Sequence, residues 1–177
     1  LGHSQYAAVC HLDHGGIHVN LIDTPGYRDF IGRGLSVLPS VETAALVINA
    51  QDGVDMICRR MMNAAKAQRL CRMIIINKID AEELNLEQLL SDIREAFGQE
   101  CLPLNLPSAD GSSVVDCFFT PENVPTMFSD VDTAHTQIVD QVVEVDEELM
   151  EVYLEQGQEL QPEQLHDPFE KSLREGH

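Results

Sequence analysis

The sequence predicts an α/β fold built on a parallel sheet, and three observations carry that prediction. Two short apolar runs, AALVINA at 44–50 and RMIIIN at 72–77, have the length and branched composition of buried strands. An amphipathic helical pattern lies between them, and a second follows at 85–97. A strand, helix, strand, helix succession folds with its strands parallel and its helices packed on the sheet.

Ahead of this unit, residues 5–23 read as a hairpin, with QYAAVCHL and IHVNLID flanking Asp13-His14-Gly15-Gly16 as the turn. From Val54 to Leu70, the residues Val54, Ile57, Met61 and Ala64 or Ala65 recur at helical spacing. Arg59, Arg60, Lys66 and Arg69 lie largely off that stripe. In the next helix Asn85 is placed to cap the N-terminus, and Leu86, Leu89, Leu90, Ile93 and Phe97 keep the 3, 4 and 7 residue steps.

After Phe97 the texture changes. CLPLNLP and SSVVDCFF read as short strands interrupted by Pro103 and Pro107. An acidic helix is expected from roughly Thr136 to Gln156, striped by Ile138, Val142, Val145, Leu149, Val152 and Tyr153. A last short helix is expected after Pro162, a residue suited to the first helical position. The organisation expected is therefore an α/β unit over 1–100 and an acidic α+β unit over 101–177.

Charge divides the chain in the same place. The formal net charge is -19 over 177 residues. Residues 1–79 hold 8 basic and 6 acidic side chains, a balance of +2, whereas residues 80–177 hold 3 and 24, a balance of -21. Such an acidic half repels phosphate backbones, which argues against nucleic-acid binding through it. No apolar run approaches the 18 or so residues of a membrane span and the first residues show no targeting pattern, so a cytoplasmic protein is expected. The five cysteines, at wide and irregular spacings, read as reduced and mostly buried thiols. His11, Asp13, His14 and His18 read as a solvated hairpin rather than a metal site, because no ligand set from a second segment accompanies them.

Two stretches carry chemistry. IIINKID, residues 74–80, ends a strand in Asn77-Lys78-Ile79-Asp80. The ring NH and exocyclic amine of guanine need two acceptors side by side, which one aspartate carboxylate supplies, whereas adenine presents the wrong pattern. An asparagine amide can bond the remaining edge, and a lysine stem can lie along the ring face with its charge in water. Asp23-Thr24-Pro25-Gly26 likewise follows a strand. A carboxylate there can hold magnesium through a water, and a glycine amide in the following turn can approach a terminal phosphate oxygen closely. Asp23 and Asn77 both stand at carboxyl ends of strands, where ligands of such sheets bind.

In these two motifs, in this order, the sequence resembles the translational GTPases, most closely those of the elongation factor G type. The resemblance implies a P-loop GTPase-type G domain, incomplete here, with the α+β unit as its insert. LPLNLPSADGSSVVD at 102–116 and VDEELMEVYLEQGQEL at 145–160 are similar to the insert that elongation factor G carries inside its G domain. It further implies GTP or GDP with Mg2+ as ligands, with Asp23 as the metal's residue through water and Gly26 at the terminal phosphate. Asn77, Lys78 and Asp80 would read guanine. The implied partners are the ribosome and, through the acidic insert, its stalk protein, with no direct sequence-specific nucleic-acid reading.

The departures from that pattern shape the expectations. No Gly-x-x-x-x-Gly-Lys-Ser/Thr loop and no first switch occur in these residues, so the chain reads as an internal slice of a longer protein with weak or no nucleotide binding of its own. Ser108-Ala109 falls inside the insert-like stretch and reads as a turn, not as the family's base-binding Ser-Ala pair. The family's water-orienting histidine is replaced by Tyr27, whose phenol is a poor proton acceptor at neutral pH although its oxygen can position a water. Water positioning and a packing or partner-contact role both stay open for it. Arg28 and Arg33 flank the turn as surface or interface arginines, with charge stabilisation the alternative. The rival reading is a non-hydrolysing G-domain-like module that binds a basic partner through its acidic half. Release factor 3 and the ribosome-protection proteins remain alternatives within the GTPases.

Overall fold

The computed structural model describes residues 4–156, 160 and 162–175. A hairpin comes first: β1 (Ala8–His14) pairs antiparallel with β2 (Ile17–Asp23), from Ala8 opposite Asp23 to His14 opposite Ile17. Gly15 and Gly16 close it, both with positive φ (57° and 81°), the conformation a two-residue turn of this hand requires. A 3-10 turn at Arg28–Phe30 leads into α1 (Ile31–Val37). Then β3 (Thr43–Asn49), α2 (Met56–Ala67), β4 (Cys71–Asn77) and α3 (Leu86–Phe97) supply the anticipated alternation, with β3 and β4 parallel and in register from Thr43 opposite Cys71 to Asn49 opposite Asn77.

Both long helices begin on side-chain caps. Asp55 accepts from the Cys58 N–H at 2.8 Å, and Asn85 accepts from the Gln88 N–H at 2.9 Å as the sequence suggested. Ile48, Ala50, Leu89 and Ile93 form the core under this sheet, with Leu46, Ile74 and Ile76 packed against it.

Expectation and structure part on the other face of that sheet. Both strands were expected to be fully buried, yet Val47, Met73 and Ile75 are 56%, 46% and 43% exposed. The cause is topological. Alternate residues point to opposite faces, and the helices cover only the face of Leu46, Ile48, Ile74 and Ile76. Nor does the hairpin join the sheet: β1 with β2 and β3 with β4 are separate two-stranded sheets.

The acidic half has its own core. β5 (Asn105–Pro107) and β6 (Val114–Asp116) pair antiparallel, and Leu106, Cys117 and Phe118 pack against Val131, Ala134, Ile138, Val139, Val142 and Val143 of α4 (Val131–Val143). The expected single helix of 136–156 is two, α4 and α5 (Glu147–Gln156). Asp146 breaks it by accepting from the Leu149 N–H at 3.1 Å, a bond that competes with continued helix. The bend returns Leu149 to the core and lets the Tyr153 hydroxyl donate to Asp140 at 2.6 Å, contacts a straight helix would carry away.

The closing helix is longer than expected. It is α6 (Pro162–Glu175), which places Leu165 in the core and stacks Phe169 on Phe118 with ring centres 4.5 Å apart. Of the cysteines only Cys117 is buried; Cys10 is exposed on the two-sided hairpin and the others are half-buried, which corrects the expectation of mostly buried thiols. No helix among the described residues is long and apolar enough to cross a membrane.

Candidate functional site

The loop after β4 is built so that one side chain points in and three point out. Ile79 packs against the core of Ile48, Leu89 and Ile93, while Asn77, Lys78 and Asp80 are exposed. Lys78 adopts a left-handed backbone (φ 60°) that costs a non-glycine residue about 1 kcal/mol or more. Three bonds hold it. The Lys78 N–H donates to Asn77 Oδ1 at 2.9 Å, the Ala81 N–H donates to the Lys78 carbonyl at 3.2 Å, and the Ala50 N–H donates to the Asn77 carbonyl at 2.9 Å. The Asn77 amide uses its oxygen on the Lys78 N–H and keeps its NH2 as a donor group.

The residues after β3 that secure this loop carried no signal in sequence. Asn49 stands opposite Asn77, donates through Nδ2 to Asp52 at 2.6 Å and accepts the Gly53 N–H on its backbone carbonyl at 3.0 Å.

The second loop follows β2. Asp23 is exposed at the strand end opposite Ala8, and Pro25 is buried. Neither backbone nor packing demands glycine at Gly26: its φ is ordinary and an added Cβ would meet nothing within 4 Å. Gly34 differs, since a Cβ there would press on Met61 at 3.2 Å and lie 3.6 Å from the Thr24 hydroxyl, so it sets how closely α1 approaches the loop and α2.

Tyr27 is half exposed, and its carbonyl accepts from the Phe30 N–H at 2.9 Å to open the 3-10 turn. Arg33 has a structural task, donating to the Gln5 carbonyl and covering the Tyr6 ring at 4.0 Å. Arg28 acts on the cap of α2. Burial pushes the Asp55 carboxyl up, but N–H donation from Cys58 and Ile57 and the charge of Arg28 outweigh it and hold the group below the usual range.

Each predicted set thus sits together on one loop at the carboxyl end of a strand: Asp23, Gly26 and Tyr27 after β2, and Asn77, Lys78 and Asp80 after β4. The two loops belong to separate sheets. Ser108 lies in a turn, donating to Asp110 at 2.6 Å and accepting from the Ser113 N–H at 3.1 Å, and takes no part in either. Among the described residues no group of three or more His, Cys, Asp or Glu is placed to hold a metal ion. Asp23 fits magnesium in the way a single exposed carboxylate can, through a water. A groove of about 480 Å3 runs elsewhere, between α3 and the acidic half, walled by Leu90, Arg94, Phe128 and Gln137. It includes none of the predicted residues, and Arg94 there already donates to the Cys101 carbonyl at 3.1 Å and to Gln137 at 3.3 Å.

Comparison with known proteins gives these loops a lineage. An elongation factor G-like protein of Mycobacterium tuberculosis is 32% identical over 181 residues, covering 96% of this chain and 25% of the relative. One from Thermotoga maritima is 29% identical and covers 99% and 27%. A peptide chain release factor 3 from Nitrosomonas eutropha is 30% identical over 62% of this chain. The crystal structure of a Thermus thermophilus protein superposes with a TM-score of 0.84 at 28% identity, over 98% of this chain and 28% of that one. The chain spans about a quarter of the length of the curated relatives it matches. The sequence model of the elongation factor Tu GTP binding domain matches residues 2–162, a span that contains both loops and most of the acidic half, and by that match the chain belongs to the translational GTPase family.

Proposed function

We propose that this chain is the guanine-reading part of the G domain, with its insert, of a GTP-binding translation factor of the elongation factor G type. The observation that carries the reading is the loop after β4, where a half-buried Ile79 packed on the core and a held left-handed Lys78 leave Asn77, Lys78 and Asp80 exposed together. Asp80 accepts the two adjacent donors of guanine, Asn77 donates to the base's other edge, and Lys78 covers a ring face. At the other loop Gly26 admits a terminal phosphate oxygen to its amide, and Asp23 holds magnesium through a water; the ion, when bound, neutralises phosphate charge. Tyr27 orients a water through its hydroxyl without taking its proton.

The elongation factor G type is favoured over release factor 3 by coverage. The factor G-like relatives align over 96% and 99% of the chain, insert included, whereas the release factor aligns over 62%. Hydrolysis in the whole factor would then drive ribosomal translocation or recycling in the cytoplasm. The outward carboxylates of Asp132, Glu144, Glu148 and Glu151 on the insert would meet the ribosomal stalk protein.

Titration with a fluorescent guanine nucleotide and Mg2+, against the adenine analogue, tests the reading. Binding is expected to be weak, because no phosphate loop is present in these residues, but guanine-selective, and lost in Asp80→Ala. Equal binding of the adenine analogue, or selectivity that survives Asp80→Ala, would remove the assignment.

A further inference from the structure

Between Asp55 and Asp80 the sequence holds six cations, Arg59, Arg60, Lys66, Arg69, Arg72 and Lys78, and not one Asp or Glu, in a chain whose net charge is -19. Four of them stand exposed along one helix and the turn that ends it. Arg59, Arg60 and Lys66 are exposed on α2 and Arg69 on the turn that ends it, while Met62 and Ala65 of the same helix are buried. Among the described residues none of the four is ion-paired to a carboxylate, although 30 acidic side chains are available in the chain.

Helix energetics accounts for only half of this set. A cation near a helix C-terminus is favoured by the macrodipole, which suits Lys66 and Arg69. Arg59 and Arg60 stand at the fourth and fifth helical positions, toward the end where that dipole opposes positive charge. Both are exposed, and among the described residues neither forms an ion pair.

We infer that the outer face of α2 is a docking surface for the phosphate backbone of a structured RNA. Charge complementarity selects a polyanion, and spacing suits a backbone. Arg59 and Lys66, seven residues apart, lie on one stripe about 10.5 Å along the axis, far enough apart to meet different phosphates of one strand. No aromatic side chain stands among the four cations, so the surface reads charge rather than base sequence. The acidic half, with its balance of -21, confines RNA to this face. The choice of RNA among polyanions rests on the translation-factor reading; the surface itself needs no bound nucleotide.

The test uses the whole 177-residue chain and a fluorescein-labelled 20-base-pair RNA duplex without nucleotide, followed by anisotropy from 25 to 200 mM salt. Neutralising four phosphates predicts a slope of log K against log salt of about -3.6. Arg59→Glu with Arg60→Glu is expected to make the slope about two units shallower and lower affinity at least tenfold at 50 mM salt. The same pair places anions toward the helix N-terminus, so the melting temperature should hold or rise, which separates lost docking from lost folding. Arg174→Glu, on α6, should leave affinity within twofold. Absent or salt-independent binding, affinity unchanged by the double variant, or equal binding of polyglutamate, the mark of a site for an acidic protein, would each overturn the inference. Because no GTP is present, failure here leaves guanine selectivity standing, and loss of that selectivity leaves the salt slope standing.

Discussion

The backbone N–H of Ala50 donates to the carbonyl of Asn77 at 2.9 Å, carrying the parallel pairing of β3 and β4 one step past the strands and into the loop proposed to read guanine. The turn after β3 therefore serves as the buttress of the base-reading loop. It is fastened by Asn49, through Asp52 and the Gly53 N–H.

Gly53 has φ 67°, and a Cβ there would meet only Leu89, at 4.0 Å. Gly53→Ala is thus a backbone substitution without a clash. It should lower stability by about 1 kcal/mol, read as a shift in the urea midpoint, and weaken whatever guanine selectivity the chain shows. An unshifted midpoint would show that the turn relaxes without strain.

Leu106, on the short β5 strand, is fully buried in the cluster with α4. Leu106→Ala should destabilise the acidic half by about 2–5 kcal/mol, from lost burial and the cavity left behind. Thermal unfolding followed by circular dichroism checks this, since α4, α5 and α6 carry much of the helical signal.

Acid should loosen the same half. Burial alone would raise the Asp116 carboxyl, but it accepts N–H bonds from Phe118 at 2.8 Å, Thr120 at 3.0 Å and Phe119 at 3.2 Å, and these hold it below the usual range. A group whose folded pKa is depressed contributes stability that is present above its unfolded value near 3.8 and lost as pH falls through the folded value. The urea midpoint should therefore fall from about pH 4 downward, and Asp116→Asn should start lower at pH 7 and fall less steeply through that window.

The uncovered face of β3 and β4 predicts association of the isolated chain. Val47 and Ile75 face solvent beside unpaired strand edges, an arrangement that natural sheets ordinarily cover or charge. Val47→Thr with Ile75→Lys should reduce dye binding to exposed apolar surface and light scattering at high concentration, with a stability change within about 1 kcal/mol because neither side chain is buried. Unaltered scattering would locate the adhesive surface elsewhere.

Local chemistry was the most legible part of the chain. Asn85 as a cap, a hairpin turning at the paired glycines and the alternation from β3 to α3 all follow from short-range rules, and the structure has them, although the expected turn Asp13-His14-Gly15-Gly16 shortens to Gly15-Gly16 because Asp13 and His14 pair within β1. What sequence could not convey was which neighbours are present. AALVINA and RMIIIN read as buried on both faces because their composition is that of central strands, whereas here each has one face packed. The break at Asp146 was hidden because apolar residues on both sides keep one helical period, so only the tertiary position of Leu149 reveals the bend. At the candidate site, residue types and strand-end positions were readable from the motifs. The buttress through Ala50 and Asn49 was not, because a backbone bond between distant residues leaves no compositional trace.

The unequal cores have a kinetic consequence. Among the described residues the acidic half encloses eleven buried ones in one cluster and the sheet core four, while the hairpin has solvent on both faces. Amide protons of α4 should exchange with deuterium slowest, those of the β3 and β4 ladder faster, and those of the hairpin fastest, since local opening scales with the burial that must be undone. A protease at low dose should accordingly cut near Gly15-Gly16 long before it reaches α4. The loop proposed to read guanine thus sits on the readily opened side of the molecule, where a bound nucleotide or a neighbouring domain would register first as slowed exchange.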